Sequence, residues 1–203
     1  MYSTKLILAS GSPARLKTLR AAGFNPVVQI SAVDEREIEN KLQNVSPGEL
    51  ALELAKAKTL NIAHKTDLSN SVVIGCDSVF EHKGKVWGKP HTTEKAIKRI
   101  KAQQGTSGIL HTGHWVCYQD HSIGITNSTV VTFAEMSDAQ IEKYVASNEP
   151  LEVAGSFTID GLGATFIKEI QGDPHNVVGI SISTLTKLFE KVDLDITDFW
   201  KVN

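Results

Sequence analysis

The chain has 203 residues, 41% of them hydrophobic, and a formal net charge of −2, which suits one domain, with room for two lobes, that buries a core without staples. The charge balance excludes a global basic field for nucleic acid or anionic lipid, and Cys76 and Cys117 match no zinc or CxxC spacing. The opening apolar run is too short for a signal peptide and no stretch approaches a membrane span, so the expectation is a cytoplasmic protein with two reduced core cysteines and neither nucleic acid nor membrane as partner.

Lys5-Leu-Ile-Leu-Ala9 is apolar on both faces, the pattern of a buried strand. Ser12 fits an N-cap, Pro13 the first helical position, and Gly23 stops the helix after Ala22. Val27 to Val33 is a second strand, closed by Asp34-Glu35. Ser46-Pro-Gly-Glu49 spells a capping box and opens a helix to about His64 that carries Lys58. Ser71-Val-Val-Ile-Gly-Cys76 is another buried strand, ending at Asp77, and Glu81 to Trp87 forms a hairpin turn leading into Gly88-Lys89-Pro90. A helix from about Thr93 to Gln104 follows, then strands near Gly108–Tyr118 and Thr126–Ala134. Ser137-Asp-Ala-Gln140 is a second capping box, with its helix ending near Asn148. Ala164–Ile170 is a strand, Gly172 to Asn176 a turn, and Ile180–Val192 the last helix. No repeat, linker or low-complexity block divides residues 1–203, so the chain is one domain of α/β class with a mixed sheet.

The first helix poses a problem. Helix N-termini are partly positive and favour acidic neighbours, yet this one is followed by Arg15, Lys17 and Arg20. One reading is an ordinary N-cap with solvated surface charges. The other is an anion site, in which the free amides of Ser-Gly-Ser-Pro and a forked Arg15 hold phosphate. Asp77, directly after an apolar strand, lies where open α/β sheets place ligands and can hold a divalent metal or accept a proton from water; it can equally cap a turn. Asp34-Glu35 is a metal-binding pair or a solvated turn. Lys89 is a surface lysine or a cation aimed by Pro90. His111 and His114, three apart in a strand, face opposite sides and read as structural.

Taken together these stretches resemble the Maf family of nucleoside triphosphate pyrophosphatases. The resemblance covers nearly the whole chain, from Leu8-Ala-Ser-Gly-Ser-Pro13 and Val33-Asp-Glu35 through Leu54-Ala-Lys-Ala-Lys58, Gly75-Cys-Asp-Ser78 and Gly88-Lys-Pro90. It continues through Glu149-Pro150, Ala154-Gly155 and Gly172-Asp173 to Asn176-Val-Val-Gly179. It implies an elongated α/β fold similar to that of the inosine triphosphate pyrophosphatases, with a cleft between two lobes and often a homodimer. It also implies hydrolysis of a nucleoside triphosphate to monophosphate and pyrophosphate with magnesium or manganese. By motif, phosphate binding falls on Ser12, Arg15, Lys58 and Lys89, the catalytic aspartate on Asp77, and metal binding on Glu35 with Asp77. Many members carry a second arginine where this chain has Ala14 and threonine where it has Ser78; members preferring thymidine or uridine triphosphates carry glutamine where it has Asp160. The Gly155-Ser-Phe157…Gly161-Leu-Gly163 stretch leans towards members acting on 7-methylguanosine triphosphate, but those carry other residues at the positions of Ala14, Ser78 and Asp160, so base choice stays open. A non-catalytic regulator of septum formation is the alternative; an aspartyl-phosphate phosphatase lacks its DxD here, and there is no Walker lysine motif.

Overall fold

Leu6 and Leu8 point to one side of the first strand, β1 (Lys5–Leu8), and Ile7 to the other, and both sides are buried. That is why the run shows no polar alternation. The computed structural model describes residues 4–42 and 44–201. The remaining strands are β2 (Val27–Val28), β3 (Ser71–His82), β4 (Lys85–Val86), β5 (Ser107–Tyr118), β6 (His121–Phe133) and β7 (Ile167–Gln171). Among the described residues they form one seven-stranded sheet in the order β2-β1-β3-β5-β6-β7, with β4 paired to β3. β1 is parallel to both β2 and β3, whereas β4 on β3 and β7 on β6 are antiparallel, so the sheet is mixed.

The helices are α1 (Pro13–Ala21), α2 (Glu35–Lys41), α3 (Pro47–Ala63), α4 (Thr93–Gln103), α5 (Asp138–Ala146), α6 (Pro174–Val178) and α7 (Ile182–Glu190). Their starts follow local chemistry. Ser46 Oγ accepts the Glu49 N–H at 3.2 Å while the Glu49 carboxylate accepts the Ser46 N–H at 2.8 Å, and Ser137 and Gln140 repeat the arrangement at α5. Gly23, at φ 91, takes the left-handed conformation that ends α1.

The chain packs as two compact units. The first holds the residues up to Asp77, Thr112–Asn127 and those from Gly179 on; the second holds Ser78–His111 and Ser128–Val178. β3, β5 and β6 each pass from one into the other. In the first, Leu6, Leu8, Val72, Ile74 and Cys76 pack with Leu19 of α1 and Leu185 and Leu188 of α7. Ile7 and Val73 pack on the opposite face with Ile62 and Ala63 of α3. In the second, Phe80, Leu110, Val131, Phe133 and Phe157 form one core, and Ile100 of α4 with Ile141 and Tyr144 of α5 a second.

Four sequence expectations are corrected. The second strand stops at Val28 rather than Val33, because β1 offers partners only through Leu8, whose carbonyl takes the Gln29 N–H. Asp34-Glu35 does not close a strand: Asp34 caps α2, accepting the Glu37 N–H at 3.1 Å, and Glu35 is the first helical residue. Asp77 does not end β3 but lies inside it, since Val79, Phe80 and His82 are buried and carry the strand onward. Residues Leu162–Phe166 form a 3-10 turn, and β7 begins only at Ile167.

Alternation along β3 puts Val73, Gly75 and Asp77 on the face covered by α3. A Cβ at Gly75 would run into Thr59 Oγ1 and come within 3.2 Å of the Ala55 carbonyl. The missing side chain lets α3 lie close to the strand just where Lys58 must reach Asp77. Gly75→Ala should therefore cost about 1–3 kcal/mol, as overpacking does, and Thr59→Ala in the same chain should recover most of it. Paired thermal melts check this; a single variant as stable as wild type would contradict the close approach.

Candidate active site

Lys58 stands at the centre. It projects from α3, its side chain 10% exposed, and its ammonium donates to Asp77 Oδ1 at 2.5 Å and pairs with Glu35 Oε1 at 2.9 Å. Asp77 is nearly as buried, at 12%, whereas Glu35 is half exposed. Three stretches far apart in the chain thus meet at one ammonium: a capped helix start, a helix interior and a strand interior. Burial raises the Asp77 carboxyl pKa above its ordinary value against the opposing pull of Lys58 and Arg15, and Glu35 adds to the rise. Cys76, the preceding residue, has its thiol pushed up to about 12 by burial, which removes it as a nucleophile.

Arg15 resolves the problem of the basic helix start. No acidic residue lies in the first turn of α1, and Ser12 caps it by accepting the Arg15 N–H at 3.5 Å. The Arg15 side chain turns away from the helix axis. Its Nε donates to the Gly179 carbonyl at 2.8 Å and its Nη1 to Ser10 Oγ at 3.0 Å, and its charge acts on Asp77. Ser10, almost wholly buried, also accepts the Ser12 N–H at 3.2 Å. Lys17 and Arg20 are exposed on the same helix. The N-cap expected at Ser12 is present, and the charge of Arg15 is placed by Ser10 and Gly179, to which sequence reasoning assigned no separate role.

Glu39 was also missed. One turn beyond Glu35 on α2, its carboxyl is raised by partial burial and then by the charges of Asp77 and Glu35. The i,i+4 spacing was the available signal, hidden because α2 was not recognised as a helix.

Of the remaining candidates, Lys89, Ser78 and Asp160 belong to the second unit and Ala14 to the first. Lys89, half exposed, lies 3.9 Å from Glu152, and the loop before it is held by Arg99, whose Nη1 donates to the Gly88 carbonyl while its guanidinium covers the Trp87 ring. Ser78 follows Asp77 in β3, and Asp160 is exposed on the segment between Phe157 and the 3-10 turn at Leu162. Ala14 is half-buried in the first turn of α1. The histidines prove structural. His111 bonds Ser128 and Glu81, while buried His114 accepts the Ser181 N–H at 2.7 Å and donates to the Thr112 carbonyl, bracing the start of α7.

Among the described residues no three His, Cys, Asp or Glu side chains gather in a metal-ligating group. Glu35 and Asp77 nevertheless converge on one cation, the Lys58 ammonium. Two hard carboxylates are what a site gives magnesium when phosphate oxygens and water complete its shell, so the donor set fits such an ion.

Fold and site thus define a mixed-sheet α/β protein with a buried, charge-paired carboxylate on its central strand. The sequence pattern of the Maf-like proteins matches residues 5–192, and the chain belongs to that family. A relative from Streptomyces avermitilis is 46% identical over 200 residues, covering 97% of this chain and 94% of its own length. Relatives from Streptomyces coelicolor, at 46%, and Corynebacterium aurimucosum, at 43%, cover 97% of this chain and 94% and 98% of their own lengths. All three are named nucleoside triphosphate pyrophosphatase.

Lys58→Met should leave the buried Asp77 charge without its nearest partner, at a cost of about 2–4 kcal/mol near neutral pH. The sign of the pH dependence follows. With Lys58 gone, the folded-state pKa of Asp77 rises further above its unfolded value, so the native state takes up the extra proton and the deficit shrinks as pH falls. Denaturant unfolding of both proteins at neutral and mildly acid pH measures it. A deficit that is constant, or grows on acidification, would contradict the pairing.

Proposed function

We propose that this chain hydrolyses nucleoside triphosphates to monophosphate and pyrophosphate, with Asp77 accepting the proton of the water that attacks the α-phosphorus. The observation that carries the reading is the Lys58 ammonium held between Glu35 and Asp77. A carboxylate raised by burial is a stronger proton acceptor than an ordinary one, and it lies beside cations that can take up the charge developing on phosphate. The names of the relatives support the same chemistry.

The geometry and the family support the following division of labour. Ser12 and the first amides of α1 receive phosphate oxygens and Arg15 and Lys58 neutralise them, while Lys89 is assigned to phosphate by the family motif alone. Within the first unit Arg15 and Lys58 are matched in charge by Glu35 and Asp77, which offers a polyanion little net attraction. A divalent cation, magnesium or manganese, held by Glu35 and Asp77 supplies the missing positive charge and Lewis acidity when bound. Asp77 then carries the abstracted proton, and Lys58 holds its carboxylate in orientation. Base choice rests on Ala14, Ser78 and Asp160, where an acidic Asp160 accepts hydrogen bonds from amino or imino groups of a base. The setting is removal of surplus or non-standard nucleotides in the cytoplasm, in keeping with two free buried cysteines.

Asp77→Asn keeps the shape and an oxygen for Lys58 but cannot take the proton. Pyrophosphate release with magnesium should fall by roughly 10²–10⁴, with a melting temperature close to wild type. Near-normal release from the folded variant would sink the mechanism.

For base choice, Asp160→Gln should shift the ratio of kcat/KM values for thymidine and uridine triphosphates against purine triphosphates towards the pyrimidines. A screen of standard and modified triphosphates, with and without magnesium, measures that ratio. An unchanged ratio would remove Asp160 from selection.

A further inference from the structure

The second unit contains a carboxylate that no part of this chemistry uses, and it is more fully bonded than Asp77. Glu149 opens a 3-10 turn, Glu149–Glu152, directly after α5. Its Oε1 accepts from the Thr158 hydroxyl at 2.5 Å, the Gly163 N–H at 2.9 Å and the Tyr144 hydroxyl at 3.2 Å, and its Oε2 accepts the Leu162 N–H at 2.9 Å. Burial raises its pKa, but the bonds from Thr158, Gly163, Leu162 and Tyr144 outweigh that and hold it below the ordinary carboxylate range. It is ionised at neutral pH, so each donor meets a charged acceptor.

Three of these partners lie at the two ends of one short segment, residues 158–163, and Asp160 is exposed near its middle. Glycine makes the closeness possible. A Cβ on Gly161 would lie 2.5 Å from Glu149 Oε2, and one on Gly163 would lie 2.5 Å from the Tyr144 hydroxyl and 2.7 Å from the Thr158 carbonyl. The segment is wrapped around the carboxylate at both ends, with no side chain allowed between. Two residues after Asp160 comes Leu162, an apolar side chain 58% exposed, so one short segment carries both an acceptor for the edge of a base and an apolar surface for its face. The far end of the same turn is tied to the loop that bears Lys89: Leu151 accepts the His91 N–H at 3.2 Å, and Glu152 lies within 3.5 Å of the His91 ring.

We propose that Glu149 is a positioning residue for base selection, holding residues 158–163 in the one conformation that presents Asp160 and Leu162 to the base of a nucleoside triphosphate. The proposal rests on the pyrophosphatase reading and on the part Asp160 has in it. Glu149 touches no substrate, and its effect passes through the loop.

Glu149→Gln tests this with little change of shape. Each carboxylate oxygen receives a backbone N–H, which can only donate, so the amide nitrogen of glutamine faces a donor whichever way it is turned. In the full-length chain, kcat and KM are measured for a panel of purine, pyrimidine and methylated triphosphates. Discrimination between the best and the worst base should fall by about tenfold, the scale of one misplaced hydrogen bond, through KM for the preferred base and with kcat nearly unchanged. Adding Glu149→Gln to Asp160→Ala should lower discrimination no further. Thr158→Val, which leaves three of the four bonds, should move it the same way by a smaller factor and serves if the glutamine variant does not fold. A merely structural role would lower the amount of folded enzyme for every triphosphate alike and leave the ratios untouched. That result, or full additivity with Asp160→Ala, overturns the proposal while the activity stands. A wild-type chain that releases no pyrophosphate from any triphosphate overturns the activity, and the proposal with it.

Discussion

The site depends on the placement of one ammonium group. Lys58 sits between a buried aspartate and a half-exposed glutamate, and each feature around it serves that position. The capping box sets where α3 begins, Gly75 lets the helix lie against β3, and strand alternation turns Asp77 towards it. Asp34 starts α2 at the residue that delivers Glu35. An uncompensated carboxylate at the burial of Asp77 would pick up a proton and lose its use as a base at neutral pH. With Lys58 and Arg15 beside it the group keeps ionisation within reach and still binds a proton more readily than an exposed aspartate. Stability and chemistry therefore make the same demand on this lysine.

The second unit has a centre of opposite sign. The turn Glu149–Glu152 touches two loops, one bearing Lys89 and the other Asp160, and it is anchored by buried Tyr144 and Pro150. Gly155 extends the same framework, giving its N–H to the Trp87 carbonyl and accepting from buried Gln103. A shared support under two loops is how a fold keeps loop-borne side chains in place while the loop sequence varies. In the first unit a cation gathers carboxylates; in the second a carboxylate gathers donors.

Much of this was legible in the sequence wherever the rule is local. The run Lys5–Ala9, the caps at Ser12, Ser46 and Ser137, and the hairpin at Lys83-Gly84 each follow from residues within a few positions of one another. α2 was not legible because it buries no residue and so has no apolar period; its cap alone marks it. Asp77 looked like a strand end because a polar pair interrupts the apolar run, and only the core around Phe80 and Phe157 shows why the strand continues. The resemblance to a family named Lys58, Glu35 and Asp77, but not that they share one proton-bearing group. Ser10 and Glu149 fall within stretches that carry the family resemblance, and Glu39 stands one turn after Glu35, but none of these signals assigns the residue a role. Their significance arises from residues brought together by the fold, as with Glu149 and its donors at positions 144, 158, 162 and 163.

The claim at the centre is that water, deprotonated at Asp77, attacks the α-phosphorus of a nucleoside triphosphate. Turnover of the wild-type chain in water carrying heavy oxygen, followed by mass spectrometry of both products, tests it directly. The account predicts the label in the nucleoside monophosphate, with unlabelled pyrophosphate as the other product. Label in the pyrophosphate, or release of inorganic phosphate with a nucleoside diphosphate, would place the attack at another phosphorus and contradict it.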